Sequence, residues 1–303
     1  MFKFVGIYSS SDVFAKHILT SSGDLALKNP YGIVSDGNGK VYVSQIRGGK
    51  IALFDFAEQQ GSYFEPEVGE NGSTFLSPHG LAIDAEGNIY VADTDQKRIV
   101  VFRSDRRFLR TMGNKSILER PVHVAVHEKA RRVYVSDSRR HCISVFSLSG
   151  EYCFSFGHKG TGNGEFAMPY GLAVGPEGNI YVADMLNARI QVFDADGRFL
   201  RIIGNTAASR LELEFPRDVG FTSDGSLHII DIKRAQLVTC TPEGVLRFTI
   251  GDEFPSANPL GFSSPTAMHI DKRDRVYIVD QINNRFTVWQ YMAEANQAMA
   301  VVH

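Results

Sequence analysis

Six times along the chain a proline opens a run of alternating apolar residues, a polar turn follows, and a second apolar run ends on an acidic or amide side chain. The openings read "NPYGIVSD", "SPHGLAID", "RPVHVAVH", "MPYGLAVG", "FPRDVGFT" and "SPTAMHID", with prolines at Pro30, Pro78, Pro121, Pro169, Pro216 and Pro265, spaced 48, 43, 48, 47 and 49 residues apart. The second run, as in "KVYVSQ", "NIYVAD" or "RVYIVD", ends at Gln45, Asp93, Asp137, Asp184, Asp231 or Asp280. That end lies 15 residues after the proline, and 16 in the third unit. Val, Ile and Tyr at period two specify strands. A third run such as "RIQVF", a turn such as "DADG" and a fourth run such as "RFLRIIG" complete each unit as four strands.

Four short strands repeated at this period predict an all-β fold, a six-bladed β-propeller of four-stranded antiparallel blades. The sixth unit supplies only three strands, ending at "RFTVWQYM". "FKFVGIY" near the N-terminus resembles the fourth strand "CFSFGH" of the third unit, so residues 2–8 are expected to pair with 265–292 and close the ring. Closure of this kind removes two unpaired edges. One domain over 1–292 and a C-terminal tail over 293–303 follow. Ser9 to Asp24 is expected to form a short helix capped by Ser11, and Phe56 to Phe75 a long acidic connection in the first blade.

Composition adds limits. With 43% hydrophobic residues, 22% charged and a net charge of -2, the chain can bury a large core and has no global attraction for nucleic acid or an anionic membrane. Cys142, Cys153 and Cys240 show neither zinc nor haem-attachment spacing, so no haem is expected on this chain. No transmembrane run and no export signal are read from the sequence. The expected compartment is periplasmic or extracellular if Met1 is not the natural start and cytoplasmic if it is.

The repeat itself, proline, a Gly-Leu-Ala run, "YVAD" and a polar loop leading to "RI" or "RV", resembles the NHL repeat. The layout is most similar to bacterial stand-alone NHL-repeat proteins. That resemblance implies relatives that are often exported, some encoded near multihaem cytochromes, and so a partner in electron transfer. An opposite charge five residues after the strand-2 acid recurs in Asp93 and Arg98, Asp184 and Arg189, and Asp280 and Arg285. These are read as structural hairpin pairs, each contributing roughly 0.2–1 kcal/mol. Gln45 with Lys50, Asp137 with Cys142 and Asp231 with Gln236 lose the pair.

In a propeller the first strand of each blade lines the channel, and loops on a rigid scaffold carry function. Around the ring the residue after each proline is Tyr31, His79, Val122, Tyr170, Arg217 or Thr266, and the next is Gly32, Gly80, His123, Gly171, Asp218 or Ala267. Tyr31, His79, His123, Tyr170, Arg217 and Asp218 are therefore the candidate partner-binding residues. "SPHGLAID" is similar to the zinc-dependent peptide-amidating lyase family. Such a site takes about three protein ligands, and only His79, with His123 one residue out of register, is available. A calcium site needs several oxygen ligands where only Asp218 is a carboxylate. Gly160, Gly162 and Gly164 in "HKGTGNGEF" precede no helix and read as a flexible connection. Lys97, Arg98, Arg139, Arg140 and His141 form a small basic patch comparable to RNA-binding NHL domains.

The expectation is a non-enzymatic binding or scaffolding propeller with no cofactor, presenting its loop face to a protein or peptide. The alternatives are a metal-dependent lyase or hydrolase at the channel mouth and RNA binding through the basic patch.

Overall fold

A computed structural model of the chain describes residues 1–9, 25–64, 75–205, 211–252 and 254–293. Six four-stranded antiparallel sheets form, each ordered as in the sequence except the last. The inner strands are Pro30–Ser35, Pro78–Ile83, Pro121–His127, Pro169–Val174, Pro216–Phe221 and Pro265–Ile270, and each lies against the inner strands of both neighbours in a closed ring. Proline fits the first position of a strand, where no ladder donor is needed.

The last blade joins Pro265–Ile270, Arg275–Asp280 and Arg285–Tyr291 to the N-terminal strand Phe2–Ser9. Phe2 pairs with Tyr291 and Phe4 with Trp289, and the backbones of Met1 and Met292 exchange hydrogen bonds at 3.0 and 2.7 Å. Phe2 also packs edge-on against His228 and Phe248 of the fifth blade, which ties the closing strand to its neighbour.

Both faces of the second strands are buried, which explains their almost unbroken apolar runs. Six buried apolar clusters are each shared by two adjacent blades. One joins Ile33, Val41 and Phe54 of blade 1 to Tyr277, Val279 and Phe286 of blade 6. Another joins Tyr181, Ile190 and Val192 of blade 4 to Leu227, Ile229 and Val238 of blade 5. A blade cannot bury its faces alone, so stability resides in the ring.

The inner strands carry a bulge after their proline, and its length follows one residue. Where the second residue after proline is glycine, pairing resumes three residues on, at Ile33, Leu81 and Leu172. Where it is His123, Asp218 or Ala267, pairing resumes at that residue.

The expected long connection of blade 1 contains the fourth strand, Gln60–Tyr63, with residues 65–74 outside the described residues. The expected helix over Ser9 to Asp24 falls on 10–24 and the tail on 294–303, both outside them as well. The only helix among the described residues is the short turn Met185–Asn187, and none is long and apolar enough to cross a membrane.

Candidate functional site

The residues that follow the prolines converge at one end of the channel. The Arg217 guanidinium lies over the Tyr170 ring at 3.6 Å and near the Tyr31 ring at 5.1 Å, and it donates a hydrogen bond to the Tyr31 hydroxyl. The Tyr31 and His79 rings meet edge to face at 4.3 Å. Ile46, Met168 and Met185 pack around Tyr31, Val122 and Tyr170. The mouth is thus closed by the protein's own side chains: Tyr31, His79 and Tyr170 are only 5–7% exposed. A partly accessible cation over an aromatic face gains roughly 0.5–1 kcal/mol per contact, and more as it is desolvated.

One level deeper, Asp218 of blade 5 spans neighbouring blades. Its Oδ1 accepts from its own strand at Val219 N (2.9 Å), and Oδ2 accepts from Met268 N of blade 6 (2.8 Å). His123 Nε2 of blade 3 lies 3.6 Å from Oδ1, while His123 Nδ1 is buried without a hydrogen-bond partner. Blade 4 intervenes, and Gly171 leaves the space through which these two side chains meet. Burial raises the Asp218 carboxyl above the usual range, opposed by His123 and by the two amides. Further bonds stitch the ring: Thr266 Oγ1 donates to Tyr31 O at 3.1 Å and Thr94 Oγ1 to Pro121 O at 2.5 Å.

His79 is held neutral. Its Nδ1 lies 2.9 Å from Ser77 O, and because a carbonyl only accepts, Nδ1 carries the proton. Burial lowers its pKa to about 4, with the charges of Arg120 and Arg217 acting in the same direction against the Ser77 hydrogen bond. A histidine depressed from 6.5 on folding contributes stability that is complete above the unfolded value and lost as pH falls toward about 4. The stability gap between the wild type and His79→Gln should therefore narrow by up to ~1.4 kcal/mol per pH unit within that window. Urea denaturation of both proteins at pH 7, 6, 5 and 4.5 measures it; a constant gap would show that His79 titrates normally.

The donors do not fit a catalytic metal. His79 stands against an aromatic ring, His123 Nε2 faces Asp218, and among the described residues no group of three His, Cys, Asp or Glu side chains is placed to hold an ion.

Arg98, Arg139, Arg140 and His141 of the basic patch have partners within the chain, although Arg139 and Arg140 remain exposed. Arg98 pairs with Asp93 at 3.9 Å, Arg139 with Glu119 at 2.9 Å, and Arg140 Nη1 donates to Ser116 O and Ile117 O. His141 Nδ1 accepts from Met168 N at 3.1 Å. Lys97, at a left-handed position in its hairpin, is half-buried.

The strand-2 acids do more than the five-residue spacing indicates. Asp184 accepts from Ala167 N (2.7 Å), Arg189 Nε (2.8 Å), Asn187 Nδ2 (2.8 Å) and Gln191 Nε2 (3.1 Å). Asp280 accepts from Ser263 N (3.1 Å), Ser264 N (2.9 Å) and Arg285 Nε (3.2 Å), and Asp93 from Ser77 N (3.0 Å). Asp137, Asp231 and Gln45 hold the same preceding loop through Glu119 N, Glu214 N and Lys28 N, although their hairpins lack the Asp–Arg pair. The partner arginines reach into that loop too, Arg189 to Gly162 O and Glu165 O, and Arg285 to Asn258 O and Gly261 O.

The glycine-rich connection is consequently a closed structure rather than a loose one. Gly162 N donates to Glu165 Oε2 at 2.8 Å, Gly160 N to Phe166 O at 3.0 Å, and Asn187 Nδ2 to Gly160 O at 2.9 Å.

Around the sealed mouth, the loops leading into the inner strands and those joining strands 2 and 3 expose large apolar side chains: Leu76, Leu186, Phe215, Phe254, Leu260 and Ile282. The hairpins joining strands 1 and 2 at the other end expose none among the described residues, whereas the fourth strands and the turns before them expose Phe108, Tyr152, Leu200, Val245 and Leu246. Sequence reasoning passed over these residues and over Ile46 and Met185. The available signal was the position directly after the strand-2 acid or amide, which places Ile46 and Met185 at the mouth and Thr94 on the next blade.

Comparison with known proteins agrees with this geometry. A family described as a 6-bladed beta-propeller, DUF5128, matches residues 109–205, and the NHL repeat matches 75–102. The mouse peptidyl-glycine alpha-amidating monooxygenase is 28% identical over 197 residues, covering 57% of this chain and 20% of that protein. The Drosophila melanogaster protein brain tumor is 32% identical over 96 residues, covering 30% of this chain and 9% of that protein. The chain thus spans a fifth or less of these relatives. A protein of unknown function from Bacteroides thetaiotaomicron superposes with a TM-score of 0.70 at 18% identity, covering 88% of this chain and 71% of that one. Virginiamycin B lyase from Staphylococcus aureus, solved with quinupristin, gives 0.63 at 12% identity, covering 96% and 100%. At these identities the structural likeness speaks to fold alone. Blade count and ring closure make the chain a six-bladed β-propeller, and its second blade, over residues 75–102, matches the NHL repeat.

Proposed function

We propose that this propeller is a non-enzymatic binding or scaffolding module that presents its loop face and channel mouth to a protein or peptide partner. The observation that carries the reading is the gathering of exposed apolar side chains on that face, from Leu76 around to Ile282. Exposed apolar surface gathered on one face and rimmed by polar loops is the usual mark of an interaction site. The mouth residues contribute shape more than area, since Tyr31, His79, Tyr170 and Asp218 are buried against one another and form a firm floor. Arg217, partly accessible beside them, supplies the polar contact. The resemblance to exported NHL propellers makes an electron-transfer protein the first partner class to examine.

The test uses matched substitutions on the two faces. Leu186→Glu with Ile282→Glu alters the loop face, and Val245→Glu alters an equally exposed apolar residue on the opposite face. A partner co-isolated with the wild type should stay with the Val245→Glu protein and bind the loop-face variant at least about tenfold more weakly, equivalent to roughly 1.4 kcal/mol. Equal retention by all three proteins would place the contact elsewhere.

A further inference from the structure

The other end of the channel is open. The hairpins joining strands 1 and 2 of blades 6, 1, 2 and 3 surround a cavity of about 750 Å³. That volume lies within the roughly 300–1,000 Å³ of small-molecule sites. Its rim is built from turns that hold themselves: Asp36 accepts the amides of Asn38 and Lys40 at 2.8 and 2.9 Å, and Asp84 those of Glu86 and Asn88 at 3.0 and 2.8 Å. Glu128 of blade 3 accepts Ala85 N of blade 2 at 2.8 Å and joins two parts of the rim. Such a cavity exists before any ligand arrives, so little ordering opposes binding.

Its chemistry is divided. Ile83, Val126 and Ile270, at the ends of the inner strands, supply apolar walls, with His269 beside them. Burial lowers the His269 pKa to about 4, so the imidazole is uncharged at neutral pH and serves as a hydrogen-bonding group. On the side of blades 2 and 3 the lining carries Asp84, Glu86 and Glu128 and no lysine or arginine. On the side of blades 6 and 1 it carries Lys40, Lys272 and Arg273. That second side also carries two acids: Asp271, balanced by the Arg275 guanidinium at 2.7 Å and accepting the Tyr277 hydroxyl at 3.2 Å, and Asp36, whose carboxylate accepts the amides of its own turn. The Asp84 carboxylate, in contrast, is bonded to neutral donors, Asn88 Nδ2 and the Tyr90 hydroxyl. The blade 2–3 half of the opening is therefore acidic throughout, whereas in the blade 6–1 half the three cations outnumber Asp36 and the Arg275-paired Asp271, leaving a net positive balance above an apolar wall.

We propose that this cavity is a second binding site, for a small zwitterion with an apolar body: a short peptide with free termini, its ammonium toward Glu86 and Glu128, its carboxylate toward Lys272 and Arg273, and its side chains on Ile83, Val126 and Ile270. The site is independent of the loop-face partner and lies at the opposite end of the channel.

Leucyl-leucine is a suitable probe, titrated calorimetrically into the intact chain alongside its N-acetyl, C-amide and doubly capped forms. The free dipeptide should bind saturably at one per chain, and either cap should weaken binding at least about tenfold. Glu86→Gln with Glu128→Gln should weaken the free dipeptide but leave the N-acetyl form unchanged; Lys272→Gln with Arg273→Gln should do the same for the C-amide form. Failure of the free dipeptide to saturate, equal affinity for free and doubly capped forms, or indifference to both pairs of substitutions would each overturn the proposal. The capped series needs only the wild type, so it decides the matter even if a variant is unstable.

Discussion

Replacing Asp184 with alanine is expected to lower the stability of the propeller by about 3–5 kcal/mol, the range found when one partner of a buried ion pair is removed. The carboxylate is fully buried and its partner Arg189 is only 8% exposed. Without Asp184 the guanidinium keeps its hydrogen bonds to Gly162 O and Glu165 O but loses its counter-charge, and Ala167 N loses its acceptor. Asp184→Asn retains an acceptor and should lose less. The exposed pair Arg139–Glu119, at 2.9 Å with its side chains 72% and 40% exposed, provides the contrast. Arg139→Ala should change stability by no more than about 1 kcal/mol. Urea midpoints of the three variants measure the ranking. A loss below about 1 kcal/mol for Asp184→Ala would mean that the neighbouring loop reorganises and readmits water to Arg189.

The same residues show how far the sequence could be read. Blade number, strand number and the ring-closing role of Phe2–Ser9 were legible because the repeat places a proline and a strand-2 acid or amide at nearly constant spacing. The Asp–Arg pairs were legible as cross-hairpin neighbours, and Asp184 does face Arg189 across its ladder. Their second task was not legible, because the amides that Asp184, Asp137 and Asp231 accept lie in the loop before the blade's first strand, far from the hairpin in sequence. The blades without an Asp–Arg pair keep this second anchor. Gln45, the least typical residue at this position, still holds Lys28 N at 2.7 Å. At the mouth, repeat position brought Tyr31, His79, Tyr170 and Arg217 to one level. Nothing in a repeat pattern states that an arginine will reach across and lie on its neighbour's ring. The cavity at the other end was hidden for a different reason: its rim consists of Asp, Asn, Gly and Glu in turns, which in one dimension look like any solvated hairpin.

Gly171→Ala should be nearly as damaging as loss of Asp184, although it adds one carbon and removes no bond. A Cβ at Gly171 would stand 2.2 Å from Asp218 Oδ1, 2.5 Å from Asp218 Cα and 2.8 Å from Arg217 O. The first of these atoms can rotate away, but the other two are backbone, so the inner strands of blades 4 and 5 must separate. Overpacking of this kind costs about 1–3 kcal/mol, and more where the obstacle is main chain. Separation would also disturb the Arg217 stack on Tyr170 and the approach of Asp218 to His123, which fixes the form of the mouth. Adding Asp218→Ala to Gly171→Ala tests which contact dominates. If the carboxylate is the main obstacle, the double variant recovers stability; if the backbone is, the double variant is at least as unstable as the single. The distances favour the second outcome, because Asp218 Cα remains in place and Met268 N loses its acceptor. Ala267 shows that a side chain at this repeat position is compatible with a propeller blade, but there the bulge is one residue shorter and pairing resumes at Ala267 itself. A Gly171→Ala protein with an unchanged urea midpoint would mean that blade 4 has adopted that shorter bulge, and so that the glycine sets the length of the bulge and not the fold of the ring.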